Sequence, residues 1–230
     1  MAVLMLATIA HAAELIFSDV DVKVGGRTSK DMEDEDGGTI DEEAEPGDTI
    51  EFKIEVKNDD SAGDKLDIED ITVDVTIEEI DDGSDLDDES SDFNLRPGKA
   101  KRVTLKFEAP LEIEEDTFNV RIHAEGEDEN GTDHEVDLDL QLEVNKESHL
   151  LKITRVSLGP AEISCNRKNV QFGATVINIG NEDEEDVSIE VLNTDLDLHL
   201  TEEIGELTAE PNEDESRFSK IYSFIVPQDA

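Results

Sequence analysis

Apolar side chains fall on every second position along most of the chain, the period of a half-buried β-strand. Ile50, Phe52, Ile54 and Val56 alternate with Glu51, Lys53, Glu55 and Lys57. The same period runs through Ile71, Val73, Val75 and Ile77, through Phe93 and Leu95, and through Val103, Leu105 and Phe107. Leu15 and Phe17 keep it, but Val20, Val22 and Val24 resume it one position late, which predicts a first strand with a shift in its middle. Gly25-Gly26, Pro46-Gly47-Asp48, the polar run 58–63, Pro97-Gly98 and Pro110 punctuate these runs as turns. The acidic stretches 27–48 and 81–92 read as connections, and no segment carries a convincing helical period.

The next two strands allow a test of register. Phe118, Val120, Ile122 and Ala124 share one face; Val136, Leu138, Leu140, Leu142 and Val144 share another. A two-residue turn at Asn130-Gly131 would set Ile122 against Asp139, apolar against acid. A three-residue loop with Gly131 in the left-handed region instead pairs Ile122 with Leu138, Val120 with Leu140 and Phe118 with Leu142. It also sets Arg121 opposite Asp139 and His123 opposite Asp137 on the solvent face, so the three-residue loop is expected.

Seven alternating strands separated by turns predict an Ig-like sandwich over residues 14–145. Residues 145–149 are polar and read as a linker. The pattern then restarts at Leu151, Ile153 and Val156, and continues through Val170, Phe172, Ala174 and Val176, Val187, Ile189 and Val191, Leu196, Leu198 and Leu200, then Tyr222, Phe224 and Val226. This is an internal repeat: Asn58 answers to Asn178, Ile71-Val73-Val75 to Val187-Ile189-Val191, and Leu105, Phe107 and Pro110 to Tyr222, Phe224 and Pro227. No run after Pro227 answers to the hairpin at 117–144. The expected fold class is therefore all-β: two tandem Ig-like antiparallel β-sandwiches, the second (150–230) incomplete at its C-terminal end. A truncated gene and an acceptor for a strand from elsewhere both accommodate that deficit.

The pattern P-G-D-x-x-x-F-x-I-x-V-x-N at 46–58, F-x-L-x-P-G at 93–98, the strand ending in Pro110 and F-x-V-x-I-x-A at 118–124 resemble CARDB-like and related Ig-like domains. V-I-N-I-G at 176–180 extends the resemblance to the second block. Such domains occur in tandem on archaeal and bacterial surface proteins, including S-layer-like ones. The resemblance implies adhesion, stalk or envelope roles and carries no catalytic residue.

Charge narrows the partners. The chain has 230 residues, with 63 acidic against 19 basic and a formal net charge of −44. Nucleic acid is excluded as a partner because phosphates would be repelled, and anionic membrane surfaces are disfavoured. Cations, basic proteins or a salty medium fit; so does a solvated, charge-coated surface. Apolar and charged residues each make up 36%, which alone would permit disorder, but ordered alternation argues for a folded core. Residues 1–13 contain an apolar run, AVLMLATIAHAA at 2–13, ending in an A-x-A-like site at Ala10-His11-Ala12. It predicts a secretory signal peptide, with a retained strand or anchor as the alternatives. It is too short to span a bilayer, so no transmembrane span is expected.

Few residues carry candidate chemistry. Asp128, Asn130 and Asp133 give the hairpin tip oxygen ligands suited to Ca²⁺; a polar turn accounts for the same residues. Asn130-Gly131-Thr132 is an N-glycosylation sequon on an exposed hairpin, and chance occurrence competes. Cys165 is the single cysteine: a buried thiol, or the source of an intermolecular disulfide. The five histidines show no zinc spacing, and no nucleophile–base constellation stands out from the acidic background, so no enzyme is expected. The leading expectation is an extracellular, S-layer-like structural or adhesive protein of a prokaryotic, archaeal envelope. Its partners would be other surface-protein subunits or cell-envelope components, with no required cofactor. The alternatives are a module binding glycans or a basic protein, with Ca²⁺ assisting, and a homo-oligomeric filament in which residues 2–12 of one copy complete the second domain of the next.

Overall fold

In the computed structural model, residues 14–59, 66–160, 162 and 169–226 are described. The chain is all-β and sandwich-like, with no α-helix among these residues and only two single 3-10 turns. It divides into two compact units. One comprises the residues up to Pro110 together with Asp116–Asn145; the other comprises Leu111–Glu115 together with the residues from Lys146 onward.

The first unit holds β1 (Glu14–Val24), β2 (Arg27–Ser29), β3 (Gly38–Thr39), β4 (Thr49–Asp59), β5 (Ile68–Asp81), β6 (Ser84–Glu89), β7 (Phe93–Leu95), β8 (Ala100–Glu108), β9 (Thr117–Asp128) and β10 (Asp133–Glu143). One sheet runs β2-β1-β4-β8, the other β3-β10-β9-β5-β6 with β7 also on β5. All strand pairings are antiparallel except the short β3–β10 contact, which the isolated parallel bridge Ala44–Val144 extends. The inward rows predicted from period 2 are buried on both sheets: Ile50, Phe52, Ile54 and Val56 on β4, Val73, Val75 and Ile77 on β5, Val120 and Ile122 on β9, Leu140 and Leu142 on β10. Phe52 meets Phe107 edge to face at 5.8 Å. The predicted shift in β1 lies between Phe17 and Asp19.

The β9–β10 hairpin has the expected register, with Ile122 opposite Leu138, Val120 opposite Leu140 and Phe118 opposite Leu142. Asp128 N–H donates to Thr132 O at 2.9 Å, enclosing three loop residues, and Gly131 sits at φ +78°. Arg121 and His123 do not use separate partners, however. Both reach the same carboxylate, Asp137, at 3.1 and 2.8 Å.

Two stretches read as plain connections contain more structure. Residues 84–89 form strand β6 along β5, with Leu86 opposite Ile77. This edge strand carries one apolar residue among acids, so it has no alternation to read; its carboxylates also discourage edge-to-edge pairing. The connection 27–48 forms β2, a 3-10 turn at Met32–Asp34 and β3, and buries Met32, Ile40 and Ala44.

The second unit holds β11 (Leu151–Gly159), β12 (Asn169–Asn178), β13 (Glu184–Asn193), β14 (Leu198–Leu207) and β15 (Arg217–Ile225). Its sheets are β11-β12-β15 and β13-β14. Ala174, Val176, Val187, Ile189, Leu207 and Tyr222 form its core, flanked by Phe172, Leu200, Ile204 and Phe218. Leu196, expected inside a strand, falls in the turn before β14, where its N–H is held by Asn193 Oδ1 at 3.0 Å.

Residues 146–149 are not a loose linker. Asn181 N–H bonds Glu147 O and Glu182 N–H bonds Ser148 O, both at 3.0 Å, while Ile179 N–H bonds Leu150 O at 2.9 Å. A Cβ on Gly180 would sit 2.8 Å from Ser148 O and 2.9 Å from Leu150 N, so only glycine fits this clasp. Residues 111–115 also differ from the expected boundary at 145. Ile113 is buried, and Glu112 pairs with Arg217 and accepts from Ser216 Oγ at 3.2 Å.

Candidate functional site

The repeat extends to register and to side-chain capping. Leu15 stands opposite Asn58 and Leu151 opposite Asn178; Phe52 stands opposite Leu105 and Phe172 opposite Tyr222. β1 shifts register between Phe17 and Asp19, and β11 does so between Ile153 and Arg155. Asp70 and Asp186, at matching irregularities of β5 and β13, have φ of 51° and 55°. The buried amides of Asn58 and Asn178 do the same job. Asn58 Nδ2 donates to Leu66 O at 2.9 Å and Leu95 O at 3.1 Å; Asn178 Nδ2 donates to Glu182 O at 2.8 Å and Leu207 O at 3.1 Å. Each amide ties the end of one sheet to the chain of the other through two backbone carbonyls.

Against that equivalence one difference stands out. On β1, Leu15, Val20 and Val22 are 3%, 0% and 0% exposed; at the matching positions of β11, Leu151, Val156 and Leu158 are 39%, 63% and 61% exposed. Val156 lies opposite Ala174 and Ile153 opposite Val176, both core residues, so this row shares the face that forms the core of the second unit. In the first unit β10 packs against β1, and β9 pairs with one edge of β5 while β6 takes the other. Among the described residues β13 has one neighbour, β14. Among the described residues, therefore, the apolar row of β11 is exposed and β13 pairs along one edge only.

At the hairpin tip, Asp128 is buried and Asn130 and Asp133 are exposed. Asp128 Oδ1 accepts from Asn130 N–H at 2.8 Å and Thr132 N–H at 3.1 Å, and Oδ2 faces His134 Nε2 at 3.2 Å. Burial alone would raise this carboxyl, but the two N–H groups and the imidazole outweigh it and hold the group below the usual carboxylate range. Both oxygens are therefore engaged in fixing the turn. The Asn130 side chain stands in solvent at the loop, as a glycan acceptor must. Cys165 and residues 1–13 lie outside the described residues.

Two groupings were not singled out from the sequence. Asp19, Asp31 and Glu33 bring carboxylate oxygens within 4.8 Å of one another. Glu33 Oε2 accepts the Val20 N–H at 2.9 Å, and Asp19 pairs with Arg102. Burial, with Asp21, Glu33 and Glu55 nearby, raises the Asp19 carboxyl despite Arg102. Such oxygens suit a hard cation. Asp31 and Glu33 lie in the acidic connection 27–48, but Asp19 reaches them only through the fold. In the second unit, Lys146 is buried beside an open cleft of about 510 Å³ lined by Glu114, Glu115 and Asp183 among others. Burial lowers its amine, and Glu115, Glu114 and Glu112 oppose that shift. A lysine in a polar run gives no sequence signal of burial.

No protein-family model matches the chain, and no curated protein matches it. Among solved structures, the C-terminal domain of Wzt is similar over 59% of this chain and 76% of its own, at 12% identity and a TM-score of 0.40. Spo0M, a sporulation control protein from Bacillus subtilis, is similar over 93% of this chain and 91% of its own, at 12% identity and a TM-score of 0.31. Likenesses this distant carry no functional weight. No helix among the described residues is long and apolar enough to cross a membrane.

Proposed function

We propose that the chain is an extracellular structural or adhesive protein of a prokaryotic, archaeal cell envelope, built from Ig-like sandwich modules of the CARDB-like kind and acting without catalysis. The observation that supports this most is the repeat itself. Two units share strand register, matched irregularities and the same buried asparagine tie, which is the economy of a modular spacer. Nine of the fifteen described strands carry carboxylates, concentrated in the first unit and on β13 and β14, and this charge keeps such modules soluble in a salty medium. The function requires no cofactor. Its partners are other surface subunits or envelope components, and a basic protein is the best electrostatic match.

Fractionation of the native host with intact-mass analysis of the chain tests this reading. The expected result is protein in the envelope fraction, lacking residues 1–13 and carrying glycan mass that maps to Asn130. Cytosolic protein that retains residues 1–13 would overturn it.

A further inference from the structure

We propose that the outer face of the β11-β12-β15 sheet binds a carboxylated sugar, with Arg155 taking the carboxylate. Binding here does not depend on where the chain resides, so it stands apart from the envelope reading above.

The repeat keeps the register of this face and changes its chemistry. Asp19, Glu55 and Arg102 form one cross-strand row in the first unit, and Arg155, Thr175 and Ser219 form the matching row in the second. The first of these rows is neutralised from within, because Arg102 pairs with both Asp19 and Glu55. In the next row Asp21, Lys53 and Thr104 give way to Ser157, Gly173 and Ile221. In the third, Lys23, Glu51 and Lys106 give way to Gly159, Gln171 and Ser223. β11, β12 and β15 carry no acidic residue, in a chain that has 63. Arg217 finds Glu112 and Lys220 finds Glu202 from outside the sheet. Arg155 has no acidic partner among the described residues.

The same replacements hollow the face. Arg155, Ser157, Gly173, Thr175, Ser219 and Ile221 line an open concavity of about 570 Å³, within the range of small-ligand sites. A Cβ on Gly173 would sit 2.6 Å from Ser157 Oγ, so that hydroxyl lies over the glycine where the first unit has Lys53. Thr175 Oγ1 and Ser219 Oγ share one hydrogen bond at 2.8 Å; whichever donates, the other keeps its own O–H for a ligand. A guanidinium without a partner matches a carboxylate as a two-pronged donor. The hydroxyls match those of a sugar as donors and acceptors, and exposed Ile221 offers apolar surface to its C–H groups. A second copy would also bring carboxylates, but at a net charge of −44 against −44. A small saccharide avoids that repulsion. At physiological ionic strength charges beyond roughly 8 Å are largely screened, so it meets the acid-free face rather than the net charge.

Titration of the isotope-labelled full chain with trigalacturonate, followed by amide NMR at about 0.15 M salt, tests this. The expected result is saturable shifts at Arg155, Ser157, Gly173, Thr175 and Ser219. The methyl-esterified trisaccharide, the same sugar without its charge, should bind about tenfold more weakly or worse. Arg155→Gln should lose a similar factor for the acid, with an unchanged melting curve because Arg155 is exposed. Arg102→Gln in the first unit should leave binding unchanged. The absence of saturable shifts would overturn the proposal. So would equal binding of acid and ester, or parent-like binding by Arg155→Gln. Self-association of the parent that Arg155→Gln abolishes would also overturn it, since carboxylates of a second copy would then be the occupant.

Discussion

β1 and β11 bring matching aliphatic rows to matching register positions, yet β1 buries its row and β11 leaves it in water. Neither propensity nor pattern distinguishes the two strands. What differs is the cover over the row: β10 packs against β1, whereas the β11 row is exposed. A fully buried Val, Leu or Ile contributes about 1.5–3 kcal/mol relative to exposure, so the uncovered row withholds on the order of several kcal/mol from the second unit. Alternation encodes the side a residue would bury, and the covering strands decide whether it does. The second unit keeps its fold through the smaller core around Val176, Ile189 and Leu207 and through the Asn178 tie.

Aromatic truncation should give the largest contrast. Phe52 is fully buried against Phe107, while its counterpart Phe172 is half-buried and stacked on Tyr222 at 6.3 Å. Phe52→Ala is expected to cost about 3–5 kcal/mol, and Phe172→Ala about half as much. Denaturant unfolding of each variant measures both. Equal losses would mean that the second core is as complete as the first.

The asparagine ties come next. Asn58→Ala strands the carbonyls of Leu66 and Leu95; Asn178→Ala strands those of Glu182 and Leu207. Each should lose about 1–3 kcal/mol, with the Asn178 variant at the lower end because water reaches an open sandwich more readily. A smaller loss at Asn58 than at Asn178 would reverse the ranking of the two units. By contrast, Val20→Ala should cost about 1–3 kcal/mol as a cavity in a packed core, and Val156→Ala should stay within about 0.5 kcal/mol, as a surface change does. Paired thermal melts of these two variants probe the central difference directly.

The main lines of this contrast were readable in the chain because they rest on period and on chain order. Ile122 against Leu138 followed from matching apolar faces, and the internal repeat followed from aligning Asn58 with Asn178. Three features were hidden for a common reason: their signal is tertiary. β6 carries only Leu86 among acids, so its strand character comes from pairing with β5 rather than from its own sequence. Asp19 joins Asp31 and Glu33 only after the intervening chain folds back. Lys146 is buried in a polar run whose next residues the β12–β13 turn clasps, with Gly180 leaving room for the approach. The Asp128 tip lay between the two cases. Its oxygen ligands were visible, but their commitment to the N–H groups of Asn130 and Thr132 depends on the conformation of the loop.

The β9–β10 hairpin of the first unit supplies the smallest predicted effect, and it carries a pH signature. Burial alone would lower the His123 imidazole, but its bond to Asp137, with Asp137, Asp74 and Glu125 as neighbouring charges, outweighs burial and raises it. The same bond, with help from Arg121, holds the Asp137 carboxyl below its usual range despite partial desolvation. A raised histidine stabilises fully below its unfolded pKa of about 6.5 and loses that contribution as pH climbs through the higher folded value. A depressed carboxylate stabilises above about 3.9 and loses that contribution as pH falls through its lower folded value. The pair is therefore worth most between about pH 4 and 6.5. His123→Gln should destabilise by under about 1 kcal/mol near pH 5, and the difference from the parent should shrink as pH rises through the raised folded pKa of His123. Melting curves of the two proteins across that range measure it. A gap that is constant with pH would mean that His123 contributes packing on β9 rather than charge.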